Sequence, residues 1–509
     1  INGIISNVIG TGFNILSIDD FTNWIPTSIT INATISADIY SSLPCPKGCS
    51  LSGGILANLN PTIVITDDAI SDKLLNASAI IAILEVISPT ESFIRKRRRL
   101  ESIPTIPPRK IYLPLTFSLD ISSLFLMNLY TRNFENGERT ISVDLYREIN
   151  SIDDWKDISK SLTENYMLMT DLDFSNEGNS IRITQEYTGK LNGNNHTIKN
   201  INLTSDYLFT TFNGTLKNLV IQNFRQEKES KAGVYALINN TKNALIDNVH
   251  IKDVTLKVNS NVTCSVGVLI GNANSGTIVQ NCSARDVTIE KITEEVAPLY
   301  RIGGLIGNFA GVSVDNSFVK NLNITSTNNI EQYMGGLVGN ISIGKIQNCY
   351  VTGGSLSSDK KGLGGLVGYS NSANSVEVYN CFTNIELKSR DDNIGGILGY
   401  DLGNDLNNIS NNISFGNIYT DKSSANISRA VGNSLEEKNN YAYNEQKING
   451  YIVKEDLGAK LVNYNELCLE ATYTRVVGLG DSYDYSKVSQ GILPKLYDTT
   501  GKNILPYQK

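Results

Sequence analysis

Histidine, methionine and tryptophan are the residues that this sequence has least of: its 509 residues contain two, four and two of them. The two histidines are His196, followed by Thr197, and His250, followed by Ile251. The HExxH motif of zinc peptidases, in which two histidines bind the metal and the glutamate acts as base, is therefore missing. We expect no catalytic residue, no metal site and no cofactor site in this chain.

Long hydrophobic runs and an excess of positive charge are missing as well. The most apolar segment, "ASAIIAILEVI" from Ala77, is too short to cross a bilayer and contains Glu85, so we expect no membrane span. The net charge of −7 argues against a nucleic-acid partner. The main basic cluster, "RKRRR" at Arg95–Arg99, precedes a proline-rich stretch, and residues 95–110 are interpreted as a linker or an extended loop.

Cysteine is too sparse for a disulfide-dense scaffold, because the chain has only seven. Cys45 and Cys49, in "CPKGC", do not have the spacing of a redox CxxC motif, and the proline and glycine between them indicate a tight loop. We expect a local disulfide between these two cysteines in an oxidising compartment. A linkage to another subunit and a metal site are the alternatives.

What the sequence does contain is a repeat. A glycine motif recurs at steps of 32, 29 and 31 residues, as "GGLIG" from Gly303, "GGLVG" from Gly335 and Gly364, and "GGILG" from Gly395. A second motif, hydrophobic-polar-asparagine, recurs with the same period of about thirty residues. Its aligned asparagines are Asn218, Asn248, Asn281, Asn316, Asn348, Asn380 and Asn411. Such a period is typical of a solenoid, in which each unit buries its apolar face by stacking on its neighbours.

The columns of this alignment predict which side chains point inward. The residue two before each asparagine is always Leu, Ile or Val, and the residue between them is mostly polar. Asparagine tolerates the left-handed backbone of a corner, and its side chain can bond to the asparagine of the next coil. We predict an all-β fold, a right-handed parallel β-helix of about eight coils, with each glycine motif forming one of the short strands.

The repeat divides the chain into three predicted regions. Residues 1–138 are a separate, mostly β domain of unknown role, residues 139–420 are the β-helix, and residues 421–509 are an irregular C-terminal cap. A short helix should cover the first coil, because "SIDDWKDISKSL" places Ser151 as N-cap and four apolar residues on one face. Those four residues are Ile152, Trp155, Ile158 and Leu162.

The candidate partner-binding residues lie two positions after the asparagines, where strand parity predicts an outward direction. Phe318, Tyr350 and Phe382 occupy this position on three successive coils and would form an exposed aromatic stripe. The alternative is that the rings stack on one another to stabilise the rod, or that a loop such as Glu294–Tyr300 covers them.

Two other columns of the alignment are better explained by a structural role than by metal binding or catalysis. Cys282, Cys349 and Cys381 directly follow their asparagines and suggest metal, but Ser317 interrupts the column and no histidine joins it, so we expect buried thiols. Asp247 and Asp315 share an outward column with one coil between them, which indicates solvated surface charge rather than a pair of catalytic carboxylates.

The sequence from about Arg139 to the end carries four further features: "IDDWKDISKSLTENYMLMTDLDFS", "YTGKLNGNNHTIKNINL", the glycine-Leu-Val-glycine (GLUG) repeats and "DYSKVSQGILPKLYDTTGKNILPYQ". On these features it resembles the N-terminal, non-catalytic β-helix region of the IgA1-specific zinc metallopeptidase family of Gram-positive bacteria. The resemblance implies a secreted or wall-associated protein. No catalytic residue of that family has a counterpart here, so a peptidase domain would lie beyond Lys509 or the β-helix is used without one.

These observations predict a non-catalytic surface module of a Gram-positive bacterium. Its rod would recognise a host or matrix protein or glycan, or would space an IgA1-protease-like catalytic domain that is absent from this chain. The alternative is a self-assembling structural subunit of a surface fibre, in which residues 1–138 and the cysteines Cys45 and Cys49 make the contacts between subunits.

Overall fold

The computed structural model describes residues 146–496 apart from short gaps, and the backbone of five strands that lie N-terminal to or enter this range. The gaps are residues 205–206, 228–232, 292–298, 327–331, 360–361, 372–374, 404–406, 424, 437 and 480–481. Cys45, Cys49 and Arg95–Arg99 lie outside the described residues, and so does the disulfide expected between the two cysteines. The chain divides into two compact units, Ile1–Arg147 and Glu148–Lys509.

The strands that the structure describes in the N-terminal unit are antiparallel. Ser28–Ile39 pairs on one side with Thr62–Val64 and on the other with Arg109–Asp120. A hairpin follows, formed by Leu126–Glu135 and Glu138–Ile149. Arg109 and Lys110, which the sequence places in the linker, instead begin a strand, since the β-prone residues Ile111, Tyr112 and Leu113 follow them directly.

The second unit is a parallel β-helix with three sheets and seven or eight turns. The first sheet has eight parallel strands, one a turn. They are Ile183–Tyr187, Phe209–Phe212, Ile238–Thr241, Ile270–Ala273, Ile306–Phe309, Val338–Ile341, Val367–Ser370 and Leu398–Asp401. The second has seven. They are Val234–Tyr235, Cys264–Gly267, Tyr300–Gly303, Gln332–Gly335, Leu363–Gly364, Ile394–Gly395 and Ile427–Ser428.

The third sheet bends at the asparagines, and we call it the asparagine sheet. Before the bend lie Tyr166–Leu168, Lys190–Asn192, Ile278–Gln280, Ser313–Asp315, Gly344–Gln347, Val376–Tyr379 and Asn408–Ser410. After it lie Leu172–Asp173, Thr197–Leu203, Ser283–Lys291, Phe318–Ser326, Tyr350–Ser358, Phe382–Ser389, Ile413–Ser414 and Ile418–Thr420. Thr215–Glu227 and Leu245–Val258 run through the bend as single strands.

The glycine motif forms a corner between two sheets, not a strand, which corrects the sequence prediction. Gly335 ends one strand, Gly336 and Leu337 turn, and Val338 begins the next. A side chain on Gly335 would place its Cβ 2.0 Å from the carbonyl oxygen of Val338 and 2.6 Å from the amide nitrogen of Gly368 on the next turn. The motif is glycine-rich because backbones of neighbouring turns touch at this corner.

The asparagines lie in one column at the opposite corner. The residues that flank each asparagine are paired with the equivalent residues of a neighbouring turn. All seven predicted asparagines have left-handed backbone, with φ between 47° and 57°. Their side chains bond between turns in two ways. Asn248 Nδ2 donates to Asn218 Oδ1 at 2.9 Å, whereas Asn348 Nδ2 donates to Asp315 Oδ1 at 3.0 Å.

A single apolar core fills the solenoid from Ile149 to Ala459. At its N-terminal end a helix, Ile152–Asp157, continues as a 3₁₀ turn, Ile158–Lys160, and the side chain of Ser151 caps it by accepting from the Asp154 amide. Trp155 is fully buried, donates from Nε1 to the carbonyl of Ile181 at 2.8 Å, and packs edge-on against Phe174 and Phe209. The predicted capping helix is therefore present.

The solenoid extends further toward the C-terminus than predicted. Beyond Tyr419, strands continue the parallel ladders: Ile427–Ser428 pairs with Ile394–Gly395, Tyr441–Tyr443 with Ile413–Ser414, and Lys460–Val462 with Tyr441–Tyr443. Lys447–Ile448 also pairs in parallel with the preceding turn, and it forms a hairpin with Tyr451–Ile452. The expectation that the pattern stops at Tyr419 was wrong because these turns lack the glycine motif yet keep the inward apolar residues Ala442 and Ala459.

Asn380 allows the backbone role of an asparagine corner to be tested separately from its side-chain role. The side-chain oxygen of Asn380 has no hydrogen-bond partner, and its φ is 57°. We therefore expect Asn380→Gly to leave the free energy of unfolding in urea nearly unchanged, and Asn380→Ala to lower it by about 1–2 kcal/mol. Asn348→Gly also loses the bond to Asp315 and should cost about 1 kcal/mol more than Asn380→Gly. Equal stability of Asn380→Ala and wild type would contradict the role assigned to the corner.

Candidate functional site

The residues predicted to bind a partner stand in one outward column of the asparagine sheet. Phe318 pairs in register with Tyr350, and Tyr350 with Phe382. Their rings are parallel, with centroids 4.8 Å apart in both steps. The column lies outside the solenoid core and belongs to a second apolar cluster. The predicted outward direction is therefore right.

The predicted exposure of this stripe is wrong. Phe318, Tyr350 and Phe382 are only 1%, 5% and 1% exposed. They are covered by residues 463–496, which we call the C-terminal strap. Its elements are the helix Tyr464–Leu467, the π-helix Thr472–Val477, the 3₁₀ turn Val488–Gln490 and a small hairpin of Tyr483–Asp484 with Lys495–Leu496. As the chain is folded here, a partner cannot reach the stripe.

The strap runs back along the rod from its C-terminal end. Gly478 lies beside Asn411, and Tyr483 packs on Phe382 with ring centroids 5.8 Å apart. The Tyr483 hydroxyl donates to the carbonyl oxygen of Asn380 at 2.8 Å and lies 3.3 Å from that of Cys349. The strap therefore crosses successive turns and fixes itself to backbone oxygens at the asparagine corner. The loop Glu294–Tyr300, proposed as a cover from the sequence, is described only at its end, where Tyr300 is buried and bonds to the carbonyl of Ser260.

The cysteines that follow the asparagines are free, fully buried thiols. Each Sγ donates to the carbonyl oxygen two residues earlier, at 3.0 Å in Cys282 and 3.1 Å in Cys349 and Cys381. Burial raises the pKa of the Cys282 and Cys349 thiols well above the ordinary value. In the same column the Ser317 hydroxyl donates to the carbonyl of Asp315 at 2.8 Å. These side chains therefore satisfy a buried backbone acceptor at each corner.

The carboxylates of Asp247 and Asp315 also have structural partners. Asp247 accepts from Asn281 Nδ2 at 2.8 Å, and Asp315 accepts from Gln347 Nε2 at 2.8 Å besides Asn348. The two aspartates lie on alternate turns with Gln280 between them in register. Among the residues the structure describes, no three His, Cys, Asp or Glu side chains come together in a way that could hold a metal ion.

His250 belongs to the outward column of the aromatic stripe, two turns before Phe318. Its Nδ1 lies 2.8 Å from the Ser283 hydroxyl and its Nε2 lies 2.8 Å from Asn248 Oδ1. Burial, together with the charge of Arg285, lowers the pKa of His250 to about 4. The imidazole is therefore neutral at pH 7 and links the asparagine corner to the adjacent turn.

A different aromatic group remains partly exposed, and sequence reasoning missed it. Tyr369 and Tyr400 are neighbours in register in the eight-stranded sheet, with parallel rings 5.5 Å apart. Tyr333 comes from the seven-stranded sheet and stacks on Tyr369 with ring centroids 3.8 Å apart and 8° between the ring planes. All three are half-buried. We call this group the tyrosine stack.

The tyrosine stack continues a row of asparagines along the same sheet. Asn308, Asn340 and Tyr369 are in register, and Asn340 Nδ2 donates to Asn308 Oδ1 at 2.7 Å. Gly362 makes room for the stack, because a Cβ at this position would lie 3.0 Å from the Tyr333 ring. The sequence shows no period for the stack, since its three rings come from two sheets. The only signal is a tyrosine two residues after the glycine motif's Leu or Val in the last two copies.

Within the described ranges, no helix is long and apolar enough to cross a membrane.

Comparisons with known proteins give structural similarities at low sequence identity and no family match. No protein-family model matches the chain, and neither does any curated protein. Five chains of solved structures match, including the two that follow. An IgA1 protease is 15% identical with a TM-score of 0.40, and the match covers 80% of this chain and 30% of that one. A structure from Bacteroides ovatus, assigned as an immunoglobulin A1 protease, is 16% identical with a TM-score of 0.36, covering 69% of this chain and 92% of that one. The chain thus spans about a third of the first structure.

The cover on the aromatic stripe can be tested by removing the central ring. Tyr350→Ala should lower the free energy of unfolding by about 3–5 kcal/mol, because the cavity opens where the strap meets the solenoid. The strap should then become the first site of cleavage in limited proteolysis, mapped by mass spectrometry. Tyr451→Ala is the matched control, since Tyr451 is 76% exposed and should change neither quantity. A Tyr350→Ala protein with the wild-type cleavage pattern would show that the strap is held by other contacts.

Proposed function

We propose that this chain is a non-catalytic module, secreted by or located at the surface of a Gram-positive bacterium, whose β-helix rod recognises a host or matrix macromolecule. The same rod could space an IgA1-protease-like catalytic domain away from the cell wall. Seven or eight turns of about 4.8 Å make a rod of about 35–40 Å.

The continuous core supports the role of a rigid scaffold that presents its outer residues to a partner. Inward residues from Ile149 to Ala459 belong to one apolar cluster, and neighbouring turns pair in register along all three sheets. Such a core bends little, because each turn is packed on both neighbours. Residues on its outer faces therefore keep fixed spacings, which suits the recognition of a repeating or extended partner.

The observation that carries the proposal is the tyrosine stack. Tyr333, Tyr369 and Tyr400 are half-buried, parallel and held on two rigid sheets. Tyrosine offers a large apolar surface with a polar hydroxyl and loses little entropy on binding, so it is enriched at recognition surfaces. The partly exposed Asn308 extends the face with an amide group, and the buried Asn340 holds it in place by donating to its Oδ1 at 2.7 Å.

Binding should depend on the stack. We expect the full chain to bind at least one of three immobilised probes, mucin, fibronectin or immunoglobulin A1, the last chosen because the similar structures are named for it. The variant Tyr333→Ser/Tyr369→Ser/Tyr400→Ser should bind at least about tenfold more weakly by biolayer interferometry, since each lost aromatic anchor is a hot-spot truncation.

The control for this test carries two exposed tyrosines elsewhere, as Tyr451→Ser/Tyr464→Ser, and should bind like wild type. Circular dichroism and the melting temperature show whether the triple variant keeps the fold. Undiminished binding by a folded triple variant, or no binding of wild type to any probe, would contradict the proposal.

A second candidate, a self-assembling subunit of a surface fibre, is favoured by the C-terminal end of the solenoid. The hairpin Lys447–Ile448 and Tyr451–Ile452 turns through Asn449 and Gly450, and its outer strand pairs only with the inner one among the described strands. Tyr451 and Ile452 are 76% and 55% exposed. An exposed apolar edge strand invites pairing with another chain.

Sedimentation velocity of the full chain at increasing concentration tests this candidate. If the edge directs assembly, wild type should form larger species as concentration rises, and Ile452→Lys should remain a monomer because a charge blocks strand addition. Lys454→Ile alters a nearby residue of the opposite character and serves as the control. A monomer at every concentration would rule out assembly through this edge under those conditions.

A further inference from the structure

The tyrosine stack contains two phenol rings in direct face-to-face contact. The ring centroids of Tyr333 and Tyr369 lie 3.8 Å apart, and the ring planes differ by 8°. In the buried aromatic stripe, by comparison, the centroids of Phe318 and Tyr350 are 4.8 Å apart. Near-parallel rings with centroids 3.8 Å apart overlap extensively, so carbon atoms of one ring lie at van der Waals contact with those of the other. Aromatic pairs do not prefer such an overlap by themselves.

The backbone of two successive turns fixes this contact. Tyr333 lies on the seven-stranded sheet, and Tyr369 lies one turn later on the eight-stranded sheet. The strand that begins at Val338, shortly after Tyr333, pairs in register with the strand that begins at Val367. Gly362 has left-handed backbone, with φ of 84°, and a Cβ there would lie 3.0 Å from the Tyr333 ring. The overlap of the two rings is therefore set by the fold of the solenoid.

Close contact and access from solution occur together in the tyrosine stack. Tyr333 and Tyr369 are both half-buried. Outside the stack, each pair of neighbouring tyrosine rings in the described part of the chain has at least one buried ring and a longer distance between centroids. These pairs are Tyr166–Tyr187 at 6.4 Å, Tyr473–Tyr485 at 6.1 Å and Tyr483–Tyr485 at 6.3 Å.

Two phenols in this arrangement are placed for oxidative coupling. A one-electron oxidant removes an electron and a proton from each phenol and leaves two phenoxyl radicals, whose unpaired electron is shared with the ring carbons next to the oxygen-bearing carbon. A bond between two such radicals forms through π orbitals, which project from the faces of the rings. Parallel rings in contact therefore approach each other in the direction that the new bond requires.

We propose that Tyr333 and Tyr369 form a site of oxidative modification, at which a peroxidase with hydrogen peroxide joins the two side chains as dityrosine. One bond forms between a Cε atom of each ring, and the proton that leaves each bonded carbon is balanced by one that returns to each oxygen. The two tyrosines together lose two electrons and two protons. Hydrogen peroxide takes up both and is reduced to two molecules of water. The modification does not depend on the proposed recognition role.

The link ties neighbouring turns together covalently. It joins the seven-stranded sheet to the eight-stranded sheet, and the chain between Tyr333 and Tyr369 becomes a closed loop. Because such a cross-link restricts the unfolded chain, it should raise the melting temperature by roughly 3–6 °C. Tyr400 lies farther away, with its ring centroid 5.5 Å from that of Tyr369, and should be coupled much less often.

The test treats the full chain, at low concentration, with a peroxidase and limiting hydrogen peroxide. The monomer is then isolated, digested with trypsin and mapped by mass spectrometry. Cleavage at Lys345 and Lys361 separates the two tyrosines, so the link appears as a branched pair of peptides that has lost two hydrogens. Oxidation of Tyr451, which is 76% exposed, shows that the oxidant has acted on the chain.

A variant that keeps the ring but removes the phenol isolates the chemistry. Tyr369→Phe cannot form a phenoxyl radical at this position, so it should yield neither the branched peptide nor the rise in melting temperature. Its melting curve before oxidation shows whether it is folded. Tyr451→Phe is the matched control for the loss of one hydroxyl, and it should give the same branched peptide and the same rise as wild type.

Two results would overturn the proposal. The first is a wild-type monomer that is oxidised at Tyr451 but contains no peptide linking Tyr333 to Tyr369. The second is a link between Tyr369 and Tyr400 that forms as often as the one between Tyr333 and Tyr369, because ring contact would then not direct the coupling.

Discussion

A left-handed asparagine at the same corner of each turn is the constraint on which the rest of this structure depends. Asparagine takes this backbone at seven successive corners from Asn218 to Asn411, with nearly constant φ. Because the corners superpose, the residues on either side fall into columns, and each column has one environment. The interior thiols and the buried aromatic stripe are both consequences of that stacking.

The two faces of the asparagine corner are buried by different means. Inside, apolar residues of successive turns pack on one another, as in any β-helix. Outside, the stripe that begins at Phe318 is covered by the strap, which has no repeat of its own. The strap therefore acts as a second layer on one side of the rod. The half-buried tyrosine stack, on the other two sheets, is an aromatic face that stays partly accessible.

Features with a regular spacing were predictable from the sequence. The period of about thirty residues placed the asparagine corner and the parallel stacking correctly, and the helical spacing of apolar residues placed the capping helix around Trp155. The period did not place the glycine motif, since the spacing of glycines does not distinguish a strand from the close approach of two backbones at Gly335. A second left-handed column, including Asn223, Asp253 and Asn321, was missed because it mixes residue types.

The candidate binding faces were less predictable than the fold for a physical reason. Strand parity gives the direction of Phe318 but does not reveal that residues more than a hundred positions later cover it. Tyr333 and Tyr369 meet across two sheets, so their proximity depends on the cross-section of a turn and leaves no trace in a linear pattern.

The direction of the strap has a consequence for how the rod comes apart. Solenoids tend to fray from their ends, since a terminal turn has one neighbour instead of two. Here the C-terminal strap bonds to Asn380 and Cys349, so a segment that follows the final turns is anchored on turns deeper in the stack. Unfolding that starts at the C-terminal turns must first break these contacts with the middle of the rod. The terminal turns and the middle of the rod should therefore unfold as one cooperative unit.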